Sequence, residues 1–224
     1  MLDQRLACVA SLVRPGSRLA DIGTDHALLP VWLVGKGICP GAIAADLREG
    51  PLRAAERTIQ KAGLEERIEV RLGDGLSPVG ADEADDIVIA GMGGETIAAI
   101  LAAADWVRSG RYNWVLQPMS RPEELRRWLL TNGFTIAGER IVRDASRRYT
   151  VIQAQYTAAP AVRETAAYWI GGVPAREGAD YLRGQLRRLE MRISGLRCRD
   201  VSHPGIPELE QVAETIQAYL SAGK

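Results

Sequence analysis

The sequence predicts an α/β chain. A mostly parallel sheet with helices on both faces is closed by an antiparallel strand pair, and an antiparallel helical hairpin follows. Three observations lead there. Short apolar runs alternate with helix-length segments through the first two-thirds of the chain, the pattern of consecutive βα units. Two strand-like runs, 134–142 and 148–156, are separated only by a short polar turn, which makes them a hairpin. Beyond residue 158, apolar residues recur at alternating spacings of three and four.

Each element has its own signal. Residues 18–22 form a short apolar run that stops at Gly23, and 27–36 reads as a helix. Residues 41–46 are a small-residue strand. Pro51 lies near the start of the next helix, where its missing N–H costs nothing, and Gly63 closes it. Residues 68–72 alternate as a third strand. Residues 86–90 are a buried strand ending in Gly91-Met92-Gly93-Gly94, with a helix over 95–104. A fifth strand, 114–116, is ended by Pro118, and Pro122 opens a helix that Gly133 caps. Leu182, Leu186, Leu189, Ile193 and Leu196 form one helical seam. Leu209, Val212, Ile216 and Tyr219 form another beyond the turn-rich 202–207. These divide the chain into a domain over 1–157 and a helical domain over 158–224. Five βα units plus a terminal hairpin are, by analogy of fold, the outline of a class I Rossmann-like methyltransferase rather than of a dehydrogenase.

Composition narrows the class. The 224 residues are 46% hydrophobic and 25% charged, ordinary for a soluble globular protein. The three cysteines are widely separated and form no CxxC pair, so no metal site is expected and free thiols are. There is no secretory signal pattern, and no apolar run approaches the roughly 20 residues of a membrane helix, so a cytoplasmic location is expected. Twenty-eight basic residues balance 28 acidic ones, and net charge announces no nucleic-acid partner. The distribution is less even. Arg183, Arg187, Arg188, Arg192, Arg197 and Arg199 crowd one helix, and Arg140, Arg143, Arg147 and Arg148 crowd the hairpin. The oligomeric state is left open, with a monomer favoured.

The chemistry-bearing residues cluster at strand ends, where such sheets bind ligands. Gly23 lets the chain turn tightly after the first strand. The dinucleotide pattern GxGxxG is absent: Asp21 precedes Gly23-Thr24-Asp25-His26, and Asp25 holds the place of the second glycine. An acid there repels a pyrophosphate and suits the ammonium of a methionine moiety, which favours S-adenosylmethionine over NAD. Asp46 ends the second strand at the distance where a carboxylate accepts ribose hydroxyls; its plainer reading is a helix N-cap. Gly73-Asp74-Gly75 is either an adenine contact or a tight turn. Gly91, Met92 and Gly93 imply close approach of a ligand, or else dense packing of helix on sheet. Joint occurrence at successive strand ends makes the four turns specific.

With DIGTDHALLP (21–30), the acid at 46 followed by EGP, RLGDGL (71–76), IAGMGG (89–94), LQP (116–118) and LRRWL (125–129), the chain resembles the bacterial tRNA (adenine-22-N1)-methyltransferase family over residues 1–157. The helical hairpin also resembles that family's C-terminal coiled coil. The resemblance implies S-adenosylmethionine as methyl donor and tRNA as substrate. One departure stands out: where the family reads QPN, Met119 follows Gln117-Pro118.

For methylation at adenine N1, a carboxylate beside the base would stabilise the charge that develops. Asp25 is the first candidate and His26 the second, though either could only anchor the cofactor. Gln117, Arg148, Arg183, Arg187 and Arg188 are the candidate substrate contacts. Alternatives are a methyltransferase acting on another RNA, a protein or a small molecule, and a non-catalytic S-adenosylmethionine-binding interaction protein.

Overall fold

The computed structural model describes residues 2–145 and 147–222. It opens with a helix that no periodicity announces, α1 (Gln4–Ala10), whose N-cap Asp3 accepts a hydrogen bond from Leu6 N at 2.6 Å. There follow β1 (Leu19–Ile22), α2 (Leu28–Gly35), β2 (Ala42–Asp46), α3 (Glu49–Ala62) and β3 (Ile68–Leu72). Next come β4 (Asp86–Gly93), α4 (Gly94–Ala102), β5 (Asn113–Ser120), α5 (Pro122–Thr131), β6 (Phe134–Asp144) and β7 (Arg147–Tyr156). The seven strands are ordered β3-β2-β1-β4-β5-β7-β6. Neighbours among β1 to β5 run parallel; β7 is antiparallel to β5 and β6 antiparallel to β7, as the hairpin signal predicts.

The two-residue period of each strand sorts its side chains into two cores. Ala20, Ile87, Ile89, Trp114 and Leu116 face one layer, which α4 and α5 cover through Ile97, Leu101, Leu125 and Leu129. Leu19, Val88 and Val115 face the other, which α1 and α2 cover through Val9, Leu29 and Leu33. Both faces are therefore dry, as a parallel sheet requires.

β4 and β5 run further than the apolar runs predict. Gly91 takes a φ of +83°, and the β4–β5 register shifts between Ala90 and Met92 and again before Gly93. Pro118 pairs opposite Met92 at this irregularity. A proline without an N–H is tolerated where the ladder is already broken, so it does not end β5.

The chain divides into two compact units, Met1–Ala161 and Val162–Lys224. The second holds α6 (Thr165–Ile170), α7 (Ala175–Arg199) and α8 (Ile206–Ala222). Leu182, Leu189 and Ile193 of α7 are buried, as are Leu209, Val212 and Ile216 of α8. Arg197 pairs with Glu210 beside the connecting loop, which ties the two helices together where they meet. The short α6 buries Tyr168 and Trp169 in the same unit.

One buried charge pair reaches from α5 to β6. Arg126 donates through Nε to Glu139 Oε1 at 2.8 Å, and both side chains are essentially inaccessible to solvent. Removing one partner takes the opposite charge away from a buried ion. Glu139→Ala is expected to lower unfolding free energy by about 3–5 kcal/mol in urea titration, whereas a rim pair such as Arg53–Glu49 should cost about 0.5 kcal/mol.

Candidate active site

Strand order reverses between β1 and β4, and a cavity of about 510 Å³ opens there at the carboxyl edge of the sheet. It brings together Asp21, Gly23, Thr24, Asp25, His26, Asp46, Gly91 and Met92, which the sequence proposes, with Arg5, Arg48 and Met119, for which it assigns no role.

The cavity floor is made by β1 and its turn. Gly23 takes a φ of +77°, and a Cβ on it would meet the end of the Met92 side chain at 2.0 Å. Glycine suits this left-handed reversal, and the absent Cβ leaves the space that the tip of Met92 fills. Thr24 is buried, and its Oγ1 meets no hydrogen-bond geometry among the described residues, although it lies near enough to Asp21 to influence that carboxyl. A buried hydroxyl left open in this way, in the lining of a cavity, calls for a partner.

Asp21 is the buried acid of the site. Burial pushes its carboxyl up to about 6; the nearby Thr24 hydroxyl lowers it in part, and the charge of Asp46 raises it further. Asp46 ends β2 with its side chain 9% exposed. Its Oδ1 accepts from Arg48 N at 2.8 Å, so it serves the turn and the cavity together. Asp25 and His26 stand at the rim. Their side chains are 76% and 53% exposed, and His26 Nε2 lies 3.5 Å from Asp25 Oδ2.

Asp74 and Gly75 line a second cavity of about 660 Å³, with Leu76, Thr96, Ile100 and Trp106. The strand order sets the ends of β3, β2 and β1 side by side, so Asp74, Asp46 and Asp21 form a row of carboxylates along one edge.

Gln117 is fully buried rather than turned to solvent. Its Oε1 accepts from Arg5 Nη1 at 2.8 Å and from Gly91 N at 3.2 Å; its Nε2 donates to Pro118 O at 2.9 Å. The amide is thus committed to holding the β4 turn and Arg5. Met119 is 39% exposed and lines the cavity. Arg148 is the second residue of the strand that runs back along β5, and the register puts it on the carboxyl-edge side of the sheet. In the second unit, Arg183, Arg187 and Arg188 are all exposed on α7. Arg183 pairs with Asp180 at 2.9 Å, and Arg188 donates to Gln185 Oε1 at 2.7 Å. No group of metal-binding side chains occurs among the described residues.

A doubly wound sheet with a terminal antiparallel pair, glycine turns at the switch point and a row of acids define a Rossmann-like methyltransferase. Comparison agrees: a methyltransferase domain matches residues 2–152. The chain is 40% identical over 154 residues to the tRNA (adenine(22)-N(1))-methyltransferase of Bacillus subtilis, an alignment that spans 69% of this chain and 65% of that protein. Among solved structures, a putative tRNA (m1A22) methyltransferase of Streptococcus pneumoniae in complex with S-adenosyl-L-methionine superposes with a TM-score of 0.81 at 30% identity, covering 98% of this chain and all of that one. The B. subtilis M1A22 tRNA methyltransferase TrmK superposes with a TM-score of 0.84 at 29% identity, covering 100% of this chain and 99% of that one. The chain belongs to the tRNA (adenine-22-N1)-methyltransferase family.

Sequence reasoning missed Arg5 because its helix is short and its partner Gln117 lies 112 residues away. No local pattern carries that contact.

The raised Asp21 pKa has a direct consequence for stability. The folded state binds this proton up to about pH 6, while an unfolded aspartate releases it near 3.8. Stability from this group is therefore full at low pH and falls as pH rises from about 4 to 6. Asp21→Asn removes that penalty. The ligand-free variant is expected to be more stable than wild type above pH 6, by up to about 3 kcal/mol, with the gap closing towards pH 4 in denaturant titrations.

Proposed function

We propose that this protein transfers a methyl group from S-adenosylmethionine to N1 of an adenine in tRNA, at position 22. The observation that carries this reading is the row Asp74, Asp46 and Asp21 beside the glycine turns at Gly23 and Gly91. The residues present fit the cofactor. The open hydroxyl of Thr24 and the buried carboxyl of Asp21 suit an ammonium group. Asp46 suits the ribose hydroxyls, and Asp74 with Gly75 the adenine. Gly91 and Met92 bring backbone and a thioether against the same space, whereas Gly93 lies outside its lining and caps α4.

S-adenosylmethionine supplies an electrophilic methyl on a sulfonium sulfur. Adenine N1 keeps a lone pair in the ring plane, so a bond from N1 to the methyl carbon forms as the sulfur–carbon bond breaks, with no prior deprotonation. The methylated ring carries the positive charge. The protein's task is alignment and placement of negative charge near the base. Asp25, at the rim and open to an incoming nucleotide, supplies that charge, and His26 beside it steadies the carboxylate.

N1 belongs to the pairing edge, so the base must leave any stack to enter the cavity. The exposed arginines of α7, Arg183, Arg187 and Arg188, and Arg148 on the hairpin are the proposed phosphate contacts. Arg188 is tethered to Gln185 and Arg183 to Asp180, so Arg187 carries more of the load. No helix among the described residues is long and apolar enough to cross a membrane, and a cytoplasmic tRNA enzyme fits that. A monomer is proposed because one chain holds every group named.

Incubation with unmodified tRNA and S-adenosylmethionine should yield N1-methyladenosine on nucleoside analysis; its absence would remove the substrate assignment. Asp25→Ala is expected to lower single-turnover methyl transfer by about 10²-fold while cofactor affinity stays near wild type. Wild-type turnover would return Asp25 to a bystander. Replacing Arg183 and Arg187 by alanine should flatten the log–log salt dependence of tRNA binding by about 1–2 units. An unchanged slope would move the RNA contact off α7.

A further inference from the structure

We propose that Leu28 and Met119 form an apolar slot that grips the target adenine, so that this chain holds the base by its faces where the family pattern places an amide. The proposal rests on reading the switch-point cavity as the site of tRNA adenine methylation.

Large apolar side chains gain nothing from standing in water at the rim of a cavity lined with acids and arginines. Leu28 is nevertheless 47% exposed and Met119 39%, and both line that cavity. Their chain neighbours are dry: Ala27 and Leu29 on one side, Gln117 and Pro118 on the other. Each also stands near a non-glycine residue in the left-handed region. Ala27, at a φ of +51°, immediately precedes Leu28, and Arg121, also at +51°, follows Met119 by two residues. Backbone held there against its preference is a feature of ligand sites.

Met119 is held from behind. Gln117 Nε2 lies 3.7 Å from its Sδ, a weak N–H contact to a thioether. The same Gln117 is fixed through Oε1, which accepts from Arg5 Nη1 and Gly91 N. The Met119 side chain is therefore placed before any ligand arrives.

Position identifies the occupant. The acids that suit the ribose and adenine of the cofactor stand at the ends of β2 and β3. Strand order puts β5 three places from β2, about 14 Å at ordinary strand spacing, on the far side of β4. Leu28 lies just beyond Asp25 and His26 on the turn leaving β1, so the slot shares its rim with the acid open to an incoming nucleotide. Leucine and a thioether read no hydrogen-bonding edge. Both pack on flat apolar faces, and the polarisable sulfur suits an aromatic ring. A purine extruded from its stack presents such faces.

The test is a double-mutant cycle between protein and base. Affinity of the whole protein, saturated with S-adenosylhomocysteine, should be measured by fluorescence anisotropy for two labelled tRNAs. One carries adenine at position 22 and the other an abasic ribose there. Met119→Ala is expected to lower the ratio of the two affinities by about 3- to 10-fold relative to wild type, with the abasic tRNA and S-adenosylhomocysteine bound within about twofold of wild type. Leu28→Ala should do the same, and Met119→Leu should keep most of the wild-type ratio. An unchanged ratio in both alanine variants, with adenine 22 still methylated by the wild-type protein, would overturn the proposal and leave the substrate reading standing. Equal losses for both tRNAs would show that the two residues only support the rim, and would overturn it too. Failure of the wild-type protein to form N1-methyladenosine at position 22 would instead remove the substrate reading, and the proposal with it.

Discussion

Strand order reverses between β1 and β4, and the site depends on that reversal. The chain leaving β1 passes over one face as α2, and the chain leaving β4 passes over the other as α4. A crevice must open between them at the carboxyl edge. β1 leaves through a left-handed turn at Gly23, and β4 is bent near its end by the left-handed Gly91; both put backbone rather than side chain at the mouth. The tip of the Met92 side chain fills the place that a Cβ on Gly23 would take. Steric demands at two glycines thus set the shape of the cavity before any charged group is considered.

Charge is arranged on that frame by burial. Asp21 sits on the strand itself, where solvent is excluded and its carboxyl rises to about 6. Asp25 sits past the turn, in water, with His26 beside it. The two acids of one short motif therefore suit different tasks: the buried one to hold a fixed cation, the exposed one to meet a charge that appears only during reaction. A cation bound there would also offset a cost, because Asp21 destabilises the ligand-free protein near neutral pH.

Much of this was legible in sequence order. The alternation of strands and helices, the terminal hairpin and the seams of α7 and α8 all rest on local periodicity, which survives folding. The four strand-end turns were visible because glycine and aspartate are the residues such turns demand. Where local signals misled, a neighbour was responsible. Pro118 looked like a strand end, yet β5 continues because β4 bulges opposite it. Gln117 looked like a polar group for substrate, yet the pleat turns it into the layer under α1.

By itself, then, the sequence determined the class of fold, the positions of the strand-end turns and the acids they carry, because these depend on backbone preference and short-range period. Only the tertiary structure decided which acid is buried, that Asp74 lines a separate cavity from Asp21, and that Arg5 reaches Gln117 across 112 residues. Burial and long-range contact are properties of packed layers. No window of sequence contains both sides of such a layer.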